Sequence, residues 1–338
     1  MADVTLKLSQ RCENPIDPPA RLRIHLLIHE TAAPKQPVKR LPSSIELPPS
    51  ATVEDAKMAI ARKVGLSDYN RVGLFDPSTK KTLKDRKAVL STLQYSELLV
   101  KDLGQQLAWR TVFMIEYFGP LLFHPLFLGL RNHLYPAVYP YIKELVPAPN
   151  SLDGTLSLSQ KITFACVMAH FAKREFETMF VHKFSASTMP VWNVFRNSFF
   201  YWAVAGVLAA AEVYAPFSPA ARAENFSIDA LGLALFFFGE TGNFLVHNYL
   251  ASLRSPGGTE RKIPKGYGFA LVTSPNYMYE ILAWVGMILI SRSPSVALFI
   301  SIGSMYMFTW GKQKERAYRK EFGDKYKKKR YVMLPGLL

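Results

Sequence analysis

Two kinds of hydrophobic patterning divide the chain. Before about residue 103 the apolar positions come in short runs. Thr5-Leu6-Lys7-Leu8 alternates, and Leu22 to His29 reads as a second short strand, with Pro15, Pro18 and Pro19 in the loop between. After Pro48-Pro49 the pattern becomes helical. Thr52 is placed to cap that helix, with Glu54 and Asp55 in its first turn. Val53, Ala56, Ile60 and Val64 form one apolar stripe, and Gly65 ends it. Arg71 to Phe75 and Glu97 to Val100 read as two further strands, with Leu83-Lys84-Asp85 in the turn region, so the expected order is ββαββ.

From Gln106 onward the pattern loses its polar face. Ser293 to Gly311 is an uncharged run of 19 residues between Arg292 and Lys312. At about 1.5 Å per residue such a helix crosses a hydrocarbon core of ~30 Å. Gly266 to Ser291 is interrupted only by Glu280, and Ala230 to Leu253 only by Glu240. Ser198 to Ala215 contains Glu212 alone, Ile162 to Val181 is a shorter candidate, and Tyr117 to Leu130 is the core of the first span. The expectation is six membrane helices, with the aromatic stretch Leu134 to Val146 as a seventh span or a re-entrant segment. Buried helices of a large soluble protein would need polar stripes that these segments lack.

Composition sharpens this division. Of 338 residues, 49% are apolar and 20% charged, below the ~25% usual for a soluble protein. The basic residues concentrate at the end, where Lys312 to Arg330 holds ten bases against three acids. The positive-inside bias places that tail in the cytosol as a solvated flank, with no nucleic-acid partner. Met1 to Glu30 lacks the apolar core of a signal peptide, so the N-terminal part is also expected in the cytosol. Cys12 and Cys166 lie in unlike segments, which supports neither a disulfide framework nor a cysteine-based metal site, and no metal is expected.

The chemistry-bearing residues are the ionisable ones inside the apolar spans: Glu116, His124, His170, Arg174, Glu177, Glu240, His247 and Glu280. A charge at mid-bilayer costs ~2.5–3.5 kcal/mol on insertion scales, so each is expected to face the bundle interior. With Asn243, Asn276 and Tyr277 they predict a polar chamber beneath basic cytosolic loops. No Gly-x-Gly-x-x-Gly follows a strand, so a Rossmann nucleotide site is not expected.

Four blocks carry a family resemblance. The first runs Lys101-Asp102-Leu103-Gly104 through Trp109, Glu116-Tyr117 and Gly119-Pro120-Leu121. The second is His170-Phe171-Ala172-Lys173-Arg174, continuing from Glu177 to Ser185 and Thr188-Met189-Pro190. The third is Gly242-Asn243-Phe244, His247, Leu253-Arg254 and Arg261-Lys262-Ile263-Pro264. The fourth is Ser274-Pro275-Asn276-Tyr277, Glu280, Trp284 and Gly286, with Lys314-Glu315-Arg316-Ala317-Tyr318 in the tail. In this order they resemble the very-long-chain trans-2,3-enoyl-CoA reductases, within the steroid 5α-reductase superfamily. The first hundred residues resemble a ubiquitin-like β-grasp. The implied architecture is a small α+β ubiquitin-like domain, 1–103, followed by a multi-pass α-helical membrane bundle, 104–338, of six to seven transmembrane helices.

The resemblance implies NADPH-dependent reduction of the C2=C3 double bond of a long-chain trans-2-enoyl-CoA, the last step of very-long-chain fatty-acid elongation, in the endoplasmic reticulum membrane beside other elongation enzymes. It assigns catalysis to Tyr277 as proton donor and to Glu116. Asn243, His247, Arg254, Lys262, Asn276, Glu280, Lys314 and Tyr318 are assigned to the cofactor, and His170 and Arg174 to the substrate. His182 is a further residue that can face the cofactor or cap a helix end. The chain departs from the superfamily at Phe171, commonly Tyr, at His247, where 5α-reductases carry an acid, and at Lys262, where they carry Arg. With Phe171 no hydroxyl can act there, which weakens a steroid reading and shifts the acid role toward Tyr277 or Glu116. The competing readings are a steroid or polyprenol enone reductase, an isoprenylcysteine-type methyltransferase and a non-catalytic ubiquitin-like membrane scaffold. The abundance of phosphate-suited bases favours NADPH over S-adenosylmethionine.

Overall fold

The computed structural model describes residues 22–28, 40–93, 96–149, 151–152, 154–184, 188–222, 224–255, 261–329 and 331–337. The chain divides into two compact units, Met1–Gln105 and Gln106–Leu338. The strand expected at Thr5–Leu8 lies outside the described residues.

In the first unit a four-stranded sheet has the order β2-β1-β4-β3. β1 (Leu22–Ile28) pairs antiparallel with β2 (Ser44–Leu47) and parallel with β4 (Glu97–Asp102), and β4 pairs antiparallel with β3 (Val72–Phe75). β2 was not anticipated. It is only four residues long and followed by Pro48-Pro49, with Ile45 and Leu47 buried on one face. α1 (Val53–Val64) forms as expected. Asp55 N–H donates to Thr52 Oγ1 (3.2 Å), while Thr52 N–H donates to the Asp55 carboxylate (2.8 Å), which satisfies two helix-start donors at once. Gly65 takes the left-handed conformation that stops the helix. Val53, Ala56 and Ile60 then pack on Ile24, Ile45, Leu74 and Leu98 to make the core.

The second unit is helical. α2 (Trp109–Ile142) is followed by α3 (Leu158–Phe176), which runs into a π-helical turn at Glu177–Val181. α4 (Trp192–Phe199), a π-helical stretch (Phe200–Leu208) and α5 (Ala209–Val213) make one rod; the short α6 (Pro219–Arg222) comes next. α7 (Phe226–Ser252), α8 (Pro275–Ser291) and α9 (Pro294–Phe322) complete the bundle. Two short strands, β5 (Gln106–Ala108) and β6 (Thr188–Pro190), pair antiparallel.

Among the described residues three helices are long and apolar enough to cross a membrane: Trp109–Ile142, Trp192–Val213 and Phe226–Ser252. The stretch Leu134–Val146 is not a separate element. Its helical part continues α2, which carries Pro120, Pro125, Pro136 and Pro140 and runs about 51 Å at the standard rise. A proline costs one backbone bond and bends a helix, but helical packing on both sides carries the chain through. α8 starts only at Pro275, because residues 266–274 form turns; α9 continues past Gly311 to Phe322.

α7 and α8 pack backbone against backbone. A Cβ on Gly286 would lie 2.3 Å from the Gly232 carbonyl oxygen, and one on Gly239 would lie 2.5 Å from Ala283 N. Small residues let the two backbones touch, the usual device for packing helices without a water-driven force. That contact sets Glu240 and Asn243 of α7 against Asn276 and Glu280 of α8.

Candidate active site

Arg174, near the end of α3, is the hinge of a buried polar network. Its Nη1 donates to Glu177 Oε2 at 2.6 Å and its Nη2 to the Tyr117 hydroxyl at 3.0 Å. The guanidinium carbon lies 5.1 Å from the Tyr117 ring centre. His247 Nδ1 sits 3.1 Å from Glu177 Oε1, and Lys173 Nζ sits 3.5 Å from the same oxygen. The π-helical turn at Glu177 brings this fully buried carboxylate under α7. A burial this complete is tolerable because three basic groups surround the carboxylate.

A second layer lies deeper. Lys173 Nζ donates to Glu240 Oε2 (2.8 Å) and Asn243 Oδ1 (2.7 Å). Asn243 Nδ2 donates to Glu280 Oε2 (2.9 Å) and to the Asn276 carbonyl (3.0 Å). His170 bridges two carboxylates, with Nδ1 2.6 Å from Glu240 and Nε2 3.5 Å from Glu280. Six of the eight ionisable residues picked out in the apolar spans thus share one network. His124 is not among them: its ring contacts the Tyr214 hydroxyl (2.7 Å) and the Ala205 carbonyl (2.8 Å), away from the site. Glu116 is buried on α2, and its Oε1 has no hydrogen-bond partner.

Above the network opens a cavity of about 560 Å³. Its walls are one face of each contributing helix. α2 supplies Trp109, Phe113 and Tyr117 at a spacing of four; α7 supplies His247, Leu250 and Ala251, with Arg254 just beyond its end; α9 supplies Trp310, Lys314 and Tyr318. Tyr277 enters from the first turn of α8, with Lys314 Nζ 5.1 Å from its ring centre. Five cations line the space: Arg174, Lys183, Arg254, Arg261 and Lys314. No carboxylate does so among the described residues. Burial and the neighbouring Arg254 and Arg261 push the Lys314 ammonium down to about 8. Glu177, His182 and His247 bring ligand-type atoms within 4.8 Å of one another, but Arg174 and Lys173 already neutralise that carboxylate.

The outcome for the expected site residues is mixed. Tyr277, His247, Arg254, Lys314, Tyr318 and Arg174 all line the cavity, as does His182. Asn243, Asn276, Glu280 and His170 do not; they form the supporting layer, because carboxylates in an apolar bundle bind the nearest cations and amides. Lys262 is exposed and off the cavity, held on the loop before Pro264. Glu116 is likewise off the wall. Cations and aromatic rings line this cavity, and the acidic and amide side chains lie in the layer beneath it. Trp109, Tyr117 and Lys173 stand in the resemblance blocks without a site role, and Phe113 and Trp310 do not stand in them. The four-residue repeat of aromatic positions 109, 113 and 117 was the signal available.

Comparison with known proteins decides the family. Residues 187–338 match the family described as 3-oxo-5-alpha-steroid 4-dehydrogenase. The "Very-long-chain enoyl-CoA reductase" of Dictyostelium discoideum is 37% identical over 298 residues, which cover 86% of this chain and 93% of that protein. The chain belongs to the very-long-chain enoyl-CoA reductase family. A Caenorhabditis elegans relative described as "Probable very-long-chain enoyl-CoA reductase art-1" is 35% identical, covering 86% of this chain and 92% of its own length. As an enoyl-CoA reductase of the steroid 5α-reductase superfamily, the protein is a membrane-helical oxidoreductase that works with a nicotinamide cofactor. The cavity fits such a group. It offers cations for phosphates and rings for stacking.

Proposed function

We propose that this enzyme reduces the C2=C3 double bond of a very-long-chain trans-2-enoyl-CoA with NADPH, the last step of fatty-acid elongation. The balance is enoyl-CoA plus NADPH plus one proton, giving the saturated acyl-CoA and NADP⁺. The observation that carries the reading is the cation-lined cavity with a phenol in its wall. Its volume lies within the ~300–1,000 Å³ range of ligand sites. Arg254, Arg261 and Lys314 suit a pyrophosphate and a 2′-phosphate, and that surplus of charge favours NADPH over its unphosphorylated counterpart.

When bound, the nicotinamide supplies the hydride that adds at C3. The chain's own residues manage the rest. Tyr277 holds the proton that C2 receives, and Lys314 beside its ring assists loss of that proton. Arg174, fixed by Glu177 and Tyr117, places positive charge where the thioester oxygen becomes anionic. Trp109, Phe113, Phe184 and Trp310 keep water from the reacting atoms. Asn243, Glu280 and His170 set the start of α8 and thereby Tyr277.

The architecture supports the same reading. α2, α3, the α4–α5 rod, α7, α8 and α9 are taken as six crossings of the endoplasmic reticulum membrane. An even number returns both ends of the chain to one side, in line with a cytosolic tail of ten bases in Lys312–Arg330. The cavity residues then lie at the cytosolic helix ends, where charged nucleotides arrive. The sheet order β2-β1-β4-β3 crossed by α1 supports a ubiquitin-like β-grasp for the first unit, a docking module for other elongation enzymes. The test is oxidation of NADPH, followed at 340 nm, by the purified protein given trans-2-enoyl-CoAs of several chain lengths and, in parallel, a steroid enone. Turnover with the thioesters alone is expected. No turnover with any thioester would overturn the proposal.

A further inference from the structure

Glu315 lies on α9 between Lys314 and Tyr318 but faces away from the cavity they line. It is buried, 8% exposed, and its carboxylate gathers three donors from two other segments. Thr273 Oγ1 and the Tyr326 hydroxyl each donate to Oε2 at 2.6 Å, and Lys329 N–H donates to Oε1 at 3.3 Å. Thr273 lies two residues before the start of α8, whereas Tyr326 and Lys329 belong to the segment after α9.

That segment folds back as a strap. Thr273 N–H donates to the Tyr331 carbonyl (3.2 Å) and Ser274 N–H to the Val332 carbonyl (2.9 Å), so two rungs of backbone pairing hold the residues before Pro275. Met333 is fully buried in the bundle core. Val332 packs where α9 carries Gly311; a Cβ there would lie 2.3 Å from Val332 Cγ1. On the other side the Tyr326 ring lies 5.3 Å from that of Tyr318. Ser274 is the pivot, since its carbonyl accepts from Tyr277 N–H at 3.0 Å. One carboxylate therefore ties the wall that carries Tyr277 to the wall that carries Lys314 and Tyr318.

We propose that Glu315, acting through the strap residues Tyr326–Lys329 and Tyr331–Met333, is a positioning residue that fixes the spacing of these two cavity walls. This rests on the reading that the cavity takes the reduced nucleotide and that Tyr277 gives the proton. Removing the carboxylate frees the start of α8 from α9 without touching any group that meets the ligand. A glutamine keeps one acceptor for the two hydroxyls and should restore most of the geometry.

The experiment compares Glu315→Ala, Glu315→Gln and Tyr326→Phe in full-length protein. NADPH affinity is read from quenching of Trp109 and Trp310 emission, turnover with enoyl-CoA is read separately, and hydrogen exchange is followed at the Thr273 and Ser274 amides. Charge-assisted hydrogen bonds of this kind predict that Glu315→Ala weakens NADPH binding and lowers kcat, each by about tenfold. Glu315→Gln should come back to within about threefold, and amide exchange should accelerate only in the alanine variant. Wild-type affinity and turnover in Glu315→Ala, or loss of melting temperature with neither parameter changed, would overturn the proposal. If the alanine variant does not accumulate, Tyr326→Phe must still weaken binding measurably; unchanged binding there overturns it too. Wild-type protein that binds no nicotinamide nucleotide would instead sink the functional reading, and the exchange data would still report on the strap.

Discussion

The helical unit holds two buried polar clusters with similar ingredients and opposite finish. At one end Asp229 accepts from Ser159 Oγ (2.5 Å) and Arg292 Nη2 (2.7 Å), and Glu212 accepts from Ser293 Oγ and Ser295 N–H at the start of α9. Gln160 donates to the Val213 and Ala215 carbonyls, and Arg131 to the Tyr214 carbonyl. At the other end Glu177, Glu240 and Glu280 meet Lys173, Arg174 and His170, but the cations above them face an open cavity. The first cluster spends its polar groups on helix ends and chain turns, where backbone donors and acceptors lack helical partners. The second leaves charge pointing at space. The difference separates a knot from a site: both pay for buried charge, and only one keeps cations directed into a cavity.

The largest effect should come from the site. Tyr277→Phe keeps the ring and the Lys314 contact but removes the proton, so kcat should fall about a hundredfold or more with NADPH affinity nearly unchanged. Stopped-flow turnover and nucleotide titration measure the two separately. A phenylalanine variant with wild-type turnover would move the acid role to another group and blur the comparison.

The knot should answer in the opposite currency. Asp229→Ala leaves Arg292 partly buried without its carboxylate, which costs about 3–5 kcal/mol of stability. Thermal unfolding in detergent should show a clear drop in midpoint, while kcat/KM per folded molecule stays near wild type. A loss of nucleotide affinity without loss of stability would mean that the two clusters are not independent.

These contrasts explain what the sequence disclosed. α1 was legible from Thr52 to Gly65 because its caps and its stripe are local. β2 was not, because Ser44–Leu47 becomes a strand only by pairing with β1. In the second unit, apolar runs located the helices, but Leu134–Val146 looked separate because four prolines mask a continuous rod. Six of the ionisable residues gather in one buried network beneath the cavity. Which of them line the cavity depends on pairings between α3, α7 and α8, and no spacing within one helix reveals those. Lys173 shows this: no spacing within α3 reveals that it holds Glu240 and Asn243 of α7 together.

The smallest predicted effect tests the open side of the comparison directly. Lys314 sits in the cavity wall beyond the apolar part of α9, and burial with Arg254 and Arg261 nearby lowers its ammonium to about 8. Below that value it is charged and adds to phosphate attraction. As pH rises through 8 it becomes neutral, so nucleotide affinity should weaken, by about fivefold between pH 7 and 9. The ligand does not supply this change, since a phosphate monoester with a second pKa of ~6 is already dianionic there. The arginines do not supply it either, because they stay charged. Lys314→Arg should flatten the dependence at the tight value, and Lys314→Met should flatten it at the weak one. A slope that persists in Lys314→Met would assign the titration to another group and remove Lys314 from the cradle.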